Sequence, residues 1–433
     1  MLHDPSHHTP LVVAQEIKVS PNDTQILREL AERKATIGAL PIQKEKARLW
    51  TKLNDLESER PLVWVNEICW NEMNVNDELT LRCQGDWARE QELNLRRELY
   101  QWDHLAGDMV VNPWIECPKA FHSTDFGIVE ATDTKETDSE NDIVSRHFYV
   151  QIETLADLEK IKMPVVTHNE EATAFQQQVF EEVFGEILPV RMFGQSHIWF
   201  TPWDFLIRWT GIENAMLGLY EDPDLYHRAV DRLVDAWMVE LDQLEAQNLL
   251  ELDNTNERVG SGGYGYTSEL PSEGFKGPVQ PRNMWGCSNA QIFSSVSPEM
   301  HWDFAIAHDM RWLERWGLNY YGCCEPLDNK VDLLRRIPNL RKVSVSPWCN
   351  SEKIIQGLGS DYVLSRKPNP AILATDTWNP ELARQQIREF LDLTEGKCHV
   401  ELIMKDISTV RHDPQRLWEW TRIALEEAEN SVS

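Results

Sequence analysis

The sequence lacks features that mark three large classes of protein. No apolar run approaches the roughly 20 residues that a membrane-spanning helix needs. The opening residues, MLHDPSHHTP, lack the basic and apolar regions of an export signal. Lys and Arg number 42 against 71 Asp and Glu, so the formal charge is −29. Because nucleic acids and anionic membranes select basic surfaces, we expect no nucleic acid and no membrane among the partners.

The cysteines also lack a pattern. There are eight of them, spread along the chain with no compact, even-numbered framework. In a long chain without an export signal, such cysteines are expected to be reduced thiols or metal ligands rather than disulfides. We therefore expect a cytoplasmic protein.

The Gly-rich segment Gly260–Gly265 has no Lys-Ser/Thr ending and does not join a strand to a helix, so it does not predict a phosphate-binding loop. It lies in a long polar stretch, about 255–295, and long loops in compact domains are usually functional or disordered. We interpret the stretch as a lid or wall over a site, carrying Tyr264 and Tyr266. Tryptophan, by contrast, is abundant, with 18 residues. Those near strand ends would suit a flat, apolar ligand.

Helical and strand patterns divide the chain into two parts. Residues 1–60 are predicted to hold a flexible arm followed by two helices, the first starting at Ser20 and ending near Gly38, the second over 42–56. Residues 61–433 alternate strands and helices, as expected for one α/β domain with a parallel sheet. The predicted strands are 61–70, 108–117, 186–194, 249–254, 319–324, 342–349, 361–370 and 398–408. A doubly wound sheet fits the same alternation as a barrel does.

The later half carries a recognisable order of short motifs. Ser-Pro-Glu-Met opens a helix at Ser297, and a strand ends in Tyr321-Gly322-Cys323-Cys324-Glu325. A Gly-Ser-Asp turn at 359–361 then leads through a strand into Lys367-Pro368-Asn369-Pro370. In this order the chain resembles the uroporphyrinogen-decarboxylase superfamily. The resemblance implies a (β/α)8 TIM barrel with an N-terminal helical extension and an active site at the carboxyl ends of the strands.

The first strand end departs from the true decarboxylases of that superfamily, which carry arginines there for a substrate with many carboxylates. Here the strand ends in Asn66, Glu67 and Trp70 without an arginine. A carboxylate at this place is costly beside an anionic substrate. The resemblance therefore favours the branch of corrinoid-dependent methyltransferases, which includes the O-demethylase methyltransferases. A decarboxylase-like lyase, a methyltransferase acting on a thiol or folate acceptor, and a non-catalytic relative that binds a corrinoid or tetrapyrrole remain the alternatives.

The resemblance also implies zinc, which these methyltransferases hold with a His-x-Cys strand end and a later cysteine. Tyr321 or Gly322 occupies the histidine position here. The candidate ligands, all residue types that zinc accepts, are Cys323, Cys324, Glu325 and Cys349. Neighbouring residues on a strand point to opposite sides, so we expect only one of the two adjacent cysteines to face the ion.

Two carboxyl groups are predicted to be catalytic. Glu67 is a candidate general acid, because a carboxyl group in an aromatic-lined pocket has a raised pKa. Asp406 follows the last strand and is a candidate ligand or polar anchor. The candidate substrate-binding residues near predicted strand ends are Asn66, Trp70, Trp203, Asp253, Tyr264, Trp285 and Trp348.

Together these features predict methyl transfer from a small, aromatic methyl ether to the Co(I) corrinoid of a partner. The sequence lacks the Asp-x-His-x-x-Gly motif of corrinoid carriers, so the corrinoid is expected on a separate carrier protein. A homodimer is compatible with the sequence.

Overall fold

The computed structural model describes residues 17–135, 145–394 and 396–431, and it confirms an α/β fold. The helices are α1 (Pro21–Gly38), α2 (Pro41–Asn54), α3 (Asp86–Leu105), α4 (Glu170–Phe184), α5 (Pro202–Thr210), α6 (Ile212–Glu221), α7 (Pro223–Ala246), α8 (Pro298–His301), α9 (Ala307–Leu313), α10 (Val331–Leu334), α11 (Ser351–Leu358), α12 (Pro380–Thr394) and α13 (Gln415–Asn430). The strands are β1 (Leu62–Val65), β2 (Ile115–Pro118), β3 (Phe121–Ser123), β4 (Thr132–Lys135), β5 (Ser145–Phe148), β6 (Val166–His168), β7 (Val190–Phe193), β8 (Trp285–Ser288), β9 (Leu318–Tyr321), β10 (Leu340–Val345), β11 (Val363–Arg366) and β12 (His399–Met404).

The two N-terminal helices pack against the α/β part of the chain. Helix α1 begins as predicted, with the Ser20 side chain accepting the backbone N–H of Asp23. It packs on α3 and α4, while α2 packs on β1. Buried Trp50 of α2 donates its indole N–H to the carbonyl of Asp108. The predicted flexible arm falls mostly on residues 1–16, which lie outside the described residues.

Six strands form one parallel sheet in the order β1-β12-β11-β10-β9-β8. The first strand of the chain therefore pairs with the last, with Val65 opposite Met404. Strands β1, β8 and β9 are buried at every position, so they are covered on both faces. For β1 the continuous apolar run predicts this burial. Because all six strands are parallel, their carboxyl ends lie on the same edge of the sheet.

Two further strands, β2 and β7, form a second parallel pair. A single bridge between Gln195 and Leu250 continues this pair, at the place where 249–254 was predicted to be a full strand. The parallel strands thus form one six-stranded sheet and one two-stranded sheet. The closed eight-stranded barrel stays a prediction.

The interpretation of 255–295 as a lid is wrong in two respects. The stretch contains β8, a strand of the main sheet that the sequence did not predict. Its Gly-rich part is buried in the core, and Tyr264 is only 3% exposed. A side chain at Gly262 would collide with the Glu401 carboxylate, so glycine lets this backbone pass close to β12.

A polar network fills the interior beside this buried segment. Lys342 of β10 and Glu401 of β12 are fully buried and form an ion pair of 3.0 Å. Glu401 also accepts hydrogen bonds from Ser365 Oγ at 2.5 Å and from the backbone N–H of Gly263 at 3.0 Å. Lys367 donates to the Tyr320 hydroxyl. Residues of four neighbouring strands, β9 to β12, take part in these contacts, and Gly263 joins them to the Gly-rich segment.

Strands β4 and β5 pair antiparallel, with Thr132 opposite Phe148. The exposed loop or hairpin predicted over 130–142 falls partly on this pair and partly outside the described residues. Among the described residues, no helix has both the length and the apolar character needed to cross a membrane.

Candidate functional site

Charged side chains from both ends of the chain meet at the carboxyl edge of the sheet. Glu67 lies just beyond β1, and Lys405 and Asp406 lie just beyond β12, its neighbour in the sheet. Lys405 Nζ lies 3.2 Å from Glu67 Oε2 and 2.6 Å from Asp406 Oδ2. Arg258 reaches the same group from the Gly-rich stretch, with Nη2 2.7 Å from Glu67 Oε1. The predicted pair of catalytic carboxylates is thus in one cluster with two cations.

The backbone at both carboxylates is in the left-handed region. Glu67 has φ of 48° and Asp406 has φ of 55°. This conformation costs a non-glycine residue about 1–2 kcal/mol, so the surroundings must hold it in place. Here the two segments hold each other, because the backbone N–H of Ile407 donates to the carbonyl of Glu67. Backbone strain of this kind is concentrated at functional sites.

The two carboxyl groups have opposite pKa shifts. Burial alone would raise the pKa of Glu67, but the charges of Arg258 and Lys405 outweigh burial and hold that pKa well below its usual range. The prediction of a raised pKa at Glu67 is therefore wrong, because it considered burial and did not include the charges of Arg258 and Lys405. Burial raises the pKa of Asp406, and the neighbouring Glu67 charge adds to the effect against the lowering by Lys405. Of the two carboxyl groups, Asp406 therefore has the greater tendency to hold a proton.

The adjacent cysteines beyond β9 lie close to this cluster. The Sγ atoms of Cys323 and Cys324 are 3.7 Å apart, and Cys324 Sγ is 3.9 Å from Asp406 Oδ2. The expectation that the two thiols face opposite sides is wrong, since Gly322, at φ of 98°, ends the strand geometry before them. The contact also brings together the segments that follow β9 and β12, two strands that are separated by β10 and β11 in the sheet.

The pKa values of the two thiols are shifted in opposite directions. Its mutual hydrogen bond, together with burial, raises the pKa of Cys323 well above the usual value. The same hydrogen bond lowers the pKa of Cys324, and the Lys405 charge acts in the same direction against burial. Cys324, the less buried of the two, is the more nucleophilic sulfur.

The four predicted zinc ligands do not come together as a metal site. The buried Glu325 carboxylate accepts two backbone N–H groups, from Ala290 at 3.0 Å and Cys323 at 2.8 Å. Buried Cys349 accepts the N–H of Leu327 at 3.3 Å. Among the described residues, no group of three or more His, Cys, Asp or Glu side chains is arranged to hold a metal ion. The residues present therefore do not fit the zinc site that the resemblance implies.

Three of the candidate substrate-binding residues have packing roles in the core. Trp203 is fully buried and donates its indole N–H to the Phe304 carbonyl at 2.7 Å. Trp285 is buried and donates to the Gly265 carbonyl at 2.8 Å. Tyr264 packs between Trp50 and Trp64. A substrate-binding role for these three residues receives no support from their positions.

The other candidates differ in their surroundings. Asp253 is buried, accepts the backbone N–H of Trp285 at 2.9 Å, and has a pKa raised well above its usual value by burial. Asn66 is half-buried and accepts the backbone N–H of Glu67 at 2.8 Å. Half-buried Trp70 packs against the ring of Tyr100. Trp348, beyond the end of β10, is 69% exposed, which makes it the candidate with most surface for a ligand.

Arg258 is the charged residue of the cluster that sequence reasoning did not find. It follows a segment with only one bridge of strand pairing, in a polar stretch without periodicity, so no local pattern assigns it to the carboxyl edge. Its Nε atom is buried without a hydrogen-bond partner in the described structure. The only sequence signal is its place between a predicted strand end at Asp253 and the glycines that begin at Gly260.

Comparisons with known proteins give little further information. No family model matches the sequence, and no curated protein matches it. Among solved structures, the chain is similar to a methyltransferase from Methanosarcina mazei, with 11% identity and a TM-score of 0.49, over 90% of this chain and 99% of that chain. A similarity at this level assigns no family and no activity to the chain.

Proposed function

We propose that this chain is a methyltransferase that moves the methyl group of a small, aromatic methyl ether to the Co(I) corrinoid of a separate carrier protein. The single observation that carries the proposal is the position of Asp406, a carboxyl group with a raised pKa that lies 2.6 Å from Lys405 Nζ and 3.9 Å from the Cys324 sulfur. It lies at the carboxyl edge of a parallel sheet, the edge where α/β enzymes place their chemistry.

Ether cleavage needs a proton donor, because an alkoxide or phenoxide is a poor leaving group unless its oxygen is protonated. In the proposed reaction, the bond between the methyl carbon and the ether oxygen breaks and its electron pair stays on the oxygen. Asp406 gives its proton to that oxygen, and the acceptor forms the new bond to the methyl carbon. General acid catalysis of this kind contributes about 10²- to 10⁴-fold to a rate.

The neighbouring charges have complementary roles. Lys405 and Arg258 stabilise the negative charge that develops on the leaving oxygen. Glu67 stays ionised and holds both cations in position through contacts of 3.2 and 2.7 Å. The proposal routes no step through zinc, since the predicted ligands do not form a site.

The proposed function is tied to a proposed fold, in which the parallel strands close into a (β/α)8 barrel. The contact between the segments that follow β9 and β12, and the pairing of β1 with β12, are features expected if the strands close into a ring. In a closed barrel the charged cluster would lie at the centre of the carboxyl face.

The charge balance favours methyl transfer over the lyase alternative. A substrate with many carboxylates needs several cations without partners, but Lys405 and Arg258 are both already paired with the Glu67 carboxylate. A methyltransferase with a thiol or folate acceptor would use the same general acid, so only an assay can distinguish these acceptors from the corrinoid.

The test is a methyl-transfer assay with the purified chain, methoxyarenes as donors and free Co(I) corrinoid as acceptor. We expect one demethylated phenol for each methyl group transferred, and a loss of roughly 10²-fold or more in Asp406→Asn. The matched control is Asp392→Asn, at an exposed position of α12, which should keep full activity. Transfer only to a thiol or folate acceptor would replace the corrinoid in the proposal, and full activity in Asp406→Asn would refute the role of the acid.

A further inference from the structure

Two thiols in neighbouring positions face each other beside the charged cluster. The Sγ atoms of Cys323 and Cys324 are 3.7 Å apart, and a disulfide bond needs about 2.05 Å. The backbone of Cys323 is fixed, because its N–H donates to Glu325 Oε2 at 2.8 Å and its carbonyl accepts from Ser344 Oγ at 2.7 Å. Rotation of the Cys324 side chain is therefore the movement that would join the two sulfurs.

The two thiols also differ in exposure. Cys323 is buried, whereas Cys324 is half-buried; among the described cysteines only Cys398 shares that intermediate exposure. A small oxidant would reach Cys324 first, with the Cys323 thiol directly behind it. This is the arrangement of a reactive thiol with a resolving partner.

We propose that Cys323 and Cys324 form a redox-sensitive pair that closes to a disulfide between neighbouring residues when a peroxide reaches the site. The pair is a modification site in addition to the proposed methyl transfer, and its oxidation does not depend on that activity.

The step balances with hydrogen peroxide as the oxidant. The Cys324 sulfur attacks one peroxide oxygen, the O–O bond breaks, and Cys324 becomes a sulfenic acid while one water leaves. The Cys323 sulfur then attacks the Cys324 sulfur, the S–O bond breaks, and a second water leaves. Two thiols are oxidised to one disulfide, and one peroxide is reduced to two waters.

The disulfide would also change the neighbouring site. Cys324 would lose the S–H group that lies 3.9 Å from Asp406 Oδ2. The Asp406 carboxyl group would lose a polar neighbour at the same time. If the proposed function holds, the oxidised chain is inactive until a thiol reductant opens the bond.

The experiment treats the full chain with a small excess of hydrogen peroxide, blocks free thiols by alkylation, and measures tryptic peptides by mass spectrometry. The peptide from Trp316 to Lys330 carries Cys323 and Cys324 and no other cysteine. We expect it to escape alkylation, to weigh less by two hydrogen atoms, and to recover both thiols after dithiothreitol. Before oxidation, one phenylarsine oxide molecule, a probe for paired thiols, should bind each chain.

Variants separate the pair from a single reactive thiol. Cys324→Ser should abolish both the mass loss and the arsenical binding, whereas Cys398→Ser, at the other half-buried cysteine, should change neither. The proposal is overturned if both thiols are alkylated after peroxide. It is also overturned if Cys324 advances to a sulfinic acid while Cys323 stays a thiol, or if the bond joins two chains. None of these readouts requires methyl-transfer activity.

Discussion

The backbone N–H of Asp406 donates to Oε2 of Glu67 over 3.3 Å, joining the end of the last strand to the end of the first. Both residues have left-handed backbone, and Lys405 contacts both carboxylates. The electrostatic properties of Asp406 therefore depend on a residue from the opposite end of the sheet-forming part of the chain. This dependence gives a direct test of the proposed acid.

Glu67→Gln should lower the pKa of Asp406, because the Glu67 charge is one of the causes that raise it. A general acid works only while protonated, so activity falls as the pH rises through its pKa. We expect the alkaline limb of the kcat/KM profile to move to lower pH, with activity lost first at the alkaline end. Glu389→Gln, at an exposed position of α12, is the control and should leave the profile unchanged. An alkaline limb that stays in place in Glu67→Gln would exclude Asp406 as the acid.

Lys342→Met should destabilise the fold through the buried ion pair. Lys342 and Glu401 are both fully buried, so removing the ammonium group leaves a carboxylate without its charge partner. Breaking such a pair costs about 3–5 kcal/mol in the free energy of unfolding. The double variant Lys342→Met/Glu401→Gln removes the remaining charge and should recover part of the loss.

Urea unfolding of the three chains measures both effects. Lys353→Met, at an exposed lysine, is the control and should stay within about 0.5 kcal/mol of the unchanged chain. Equal stability of the single and double variants would show that the unpaired charge is not the cause of the loss.

The sequence predicts those parts of the fold that depend on local patterns. Strand β1 and strands β9 to β12 are short apolar runs between helices with clear start signals, and their parallel arrangement follows from the alternation. Strand β8 has the sequence Trp-Gly-Cys-Ser in a polar stretch, which has no strand periodicity. It is a strand because β9 pairs with it, and such a distant partner is not visible locally.

The candidate site was predictable in part for the same reason. Glu67, Cys324 and Asp406 each lie near the end of a predicted strand, so the common edge of parallel strands brings them together. Arg258 follows no extended strand, and its charge reverses the expected pKa shift of Glu67. The alternation rule for strands failed at Cys323 and Cys324 because the strand ends before them, at Tyr321.

Trp348→Ala should weaken the binding of an aromatic donor. The side chain is 69% exposed at the carboxyl end of β10, so its removal should change stability by no more than about 0.5 kcal/mol. An aromatic contact contributes about 0.5–1.5 kcal/mol beyond the burial of its area, which corresponds to roughly a 2- to 10-fold change in affinity. We expect a KM for methoxyarenes that is higher by this factor, with little change in kcat. Tyr220→Ala, at another highly exposed ring, is the control. An unchanged KM would remove Trp348 from the donor site.

Asp309→Asn should stabilise the protein in a pH-dependent way. Burial raises the pKa of Asp309 from 3.8 to about 7, and Ser288 Oγ, 2.6 Å from Oδ2, offsets burial only in part. Between these two pH values the unfolded chain releases this proton while the folded chain retains it, so the carboxyl group lowers stability as the pH rises. Above about pH 7 the folded protein carries the full cost of a buried charge, on the order of a few kcal/mol.

The asparagine variant has no such titration. Its gain in the free energy of unfolding should therefore be small near pH 4, grow up to about pH 7, and stay constant beyond it. Urea unfolding across this range measures the difference, with Asp303→Asn, an exposed residue of the same helical segment, as the control. A gain that is the same at every pH would mean that the substitution acts through packing and that Asp309 is not protonated in the folded protein.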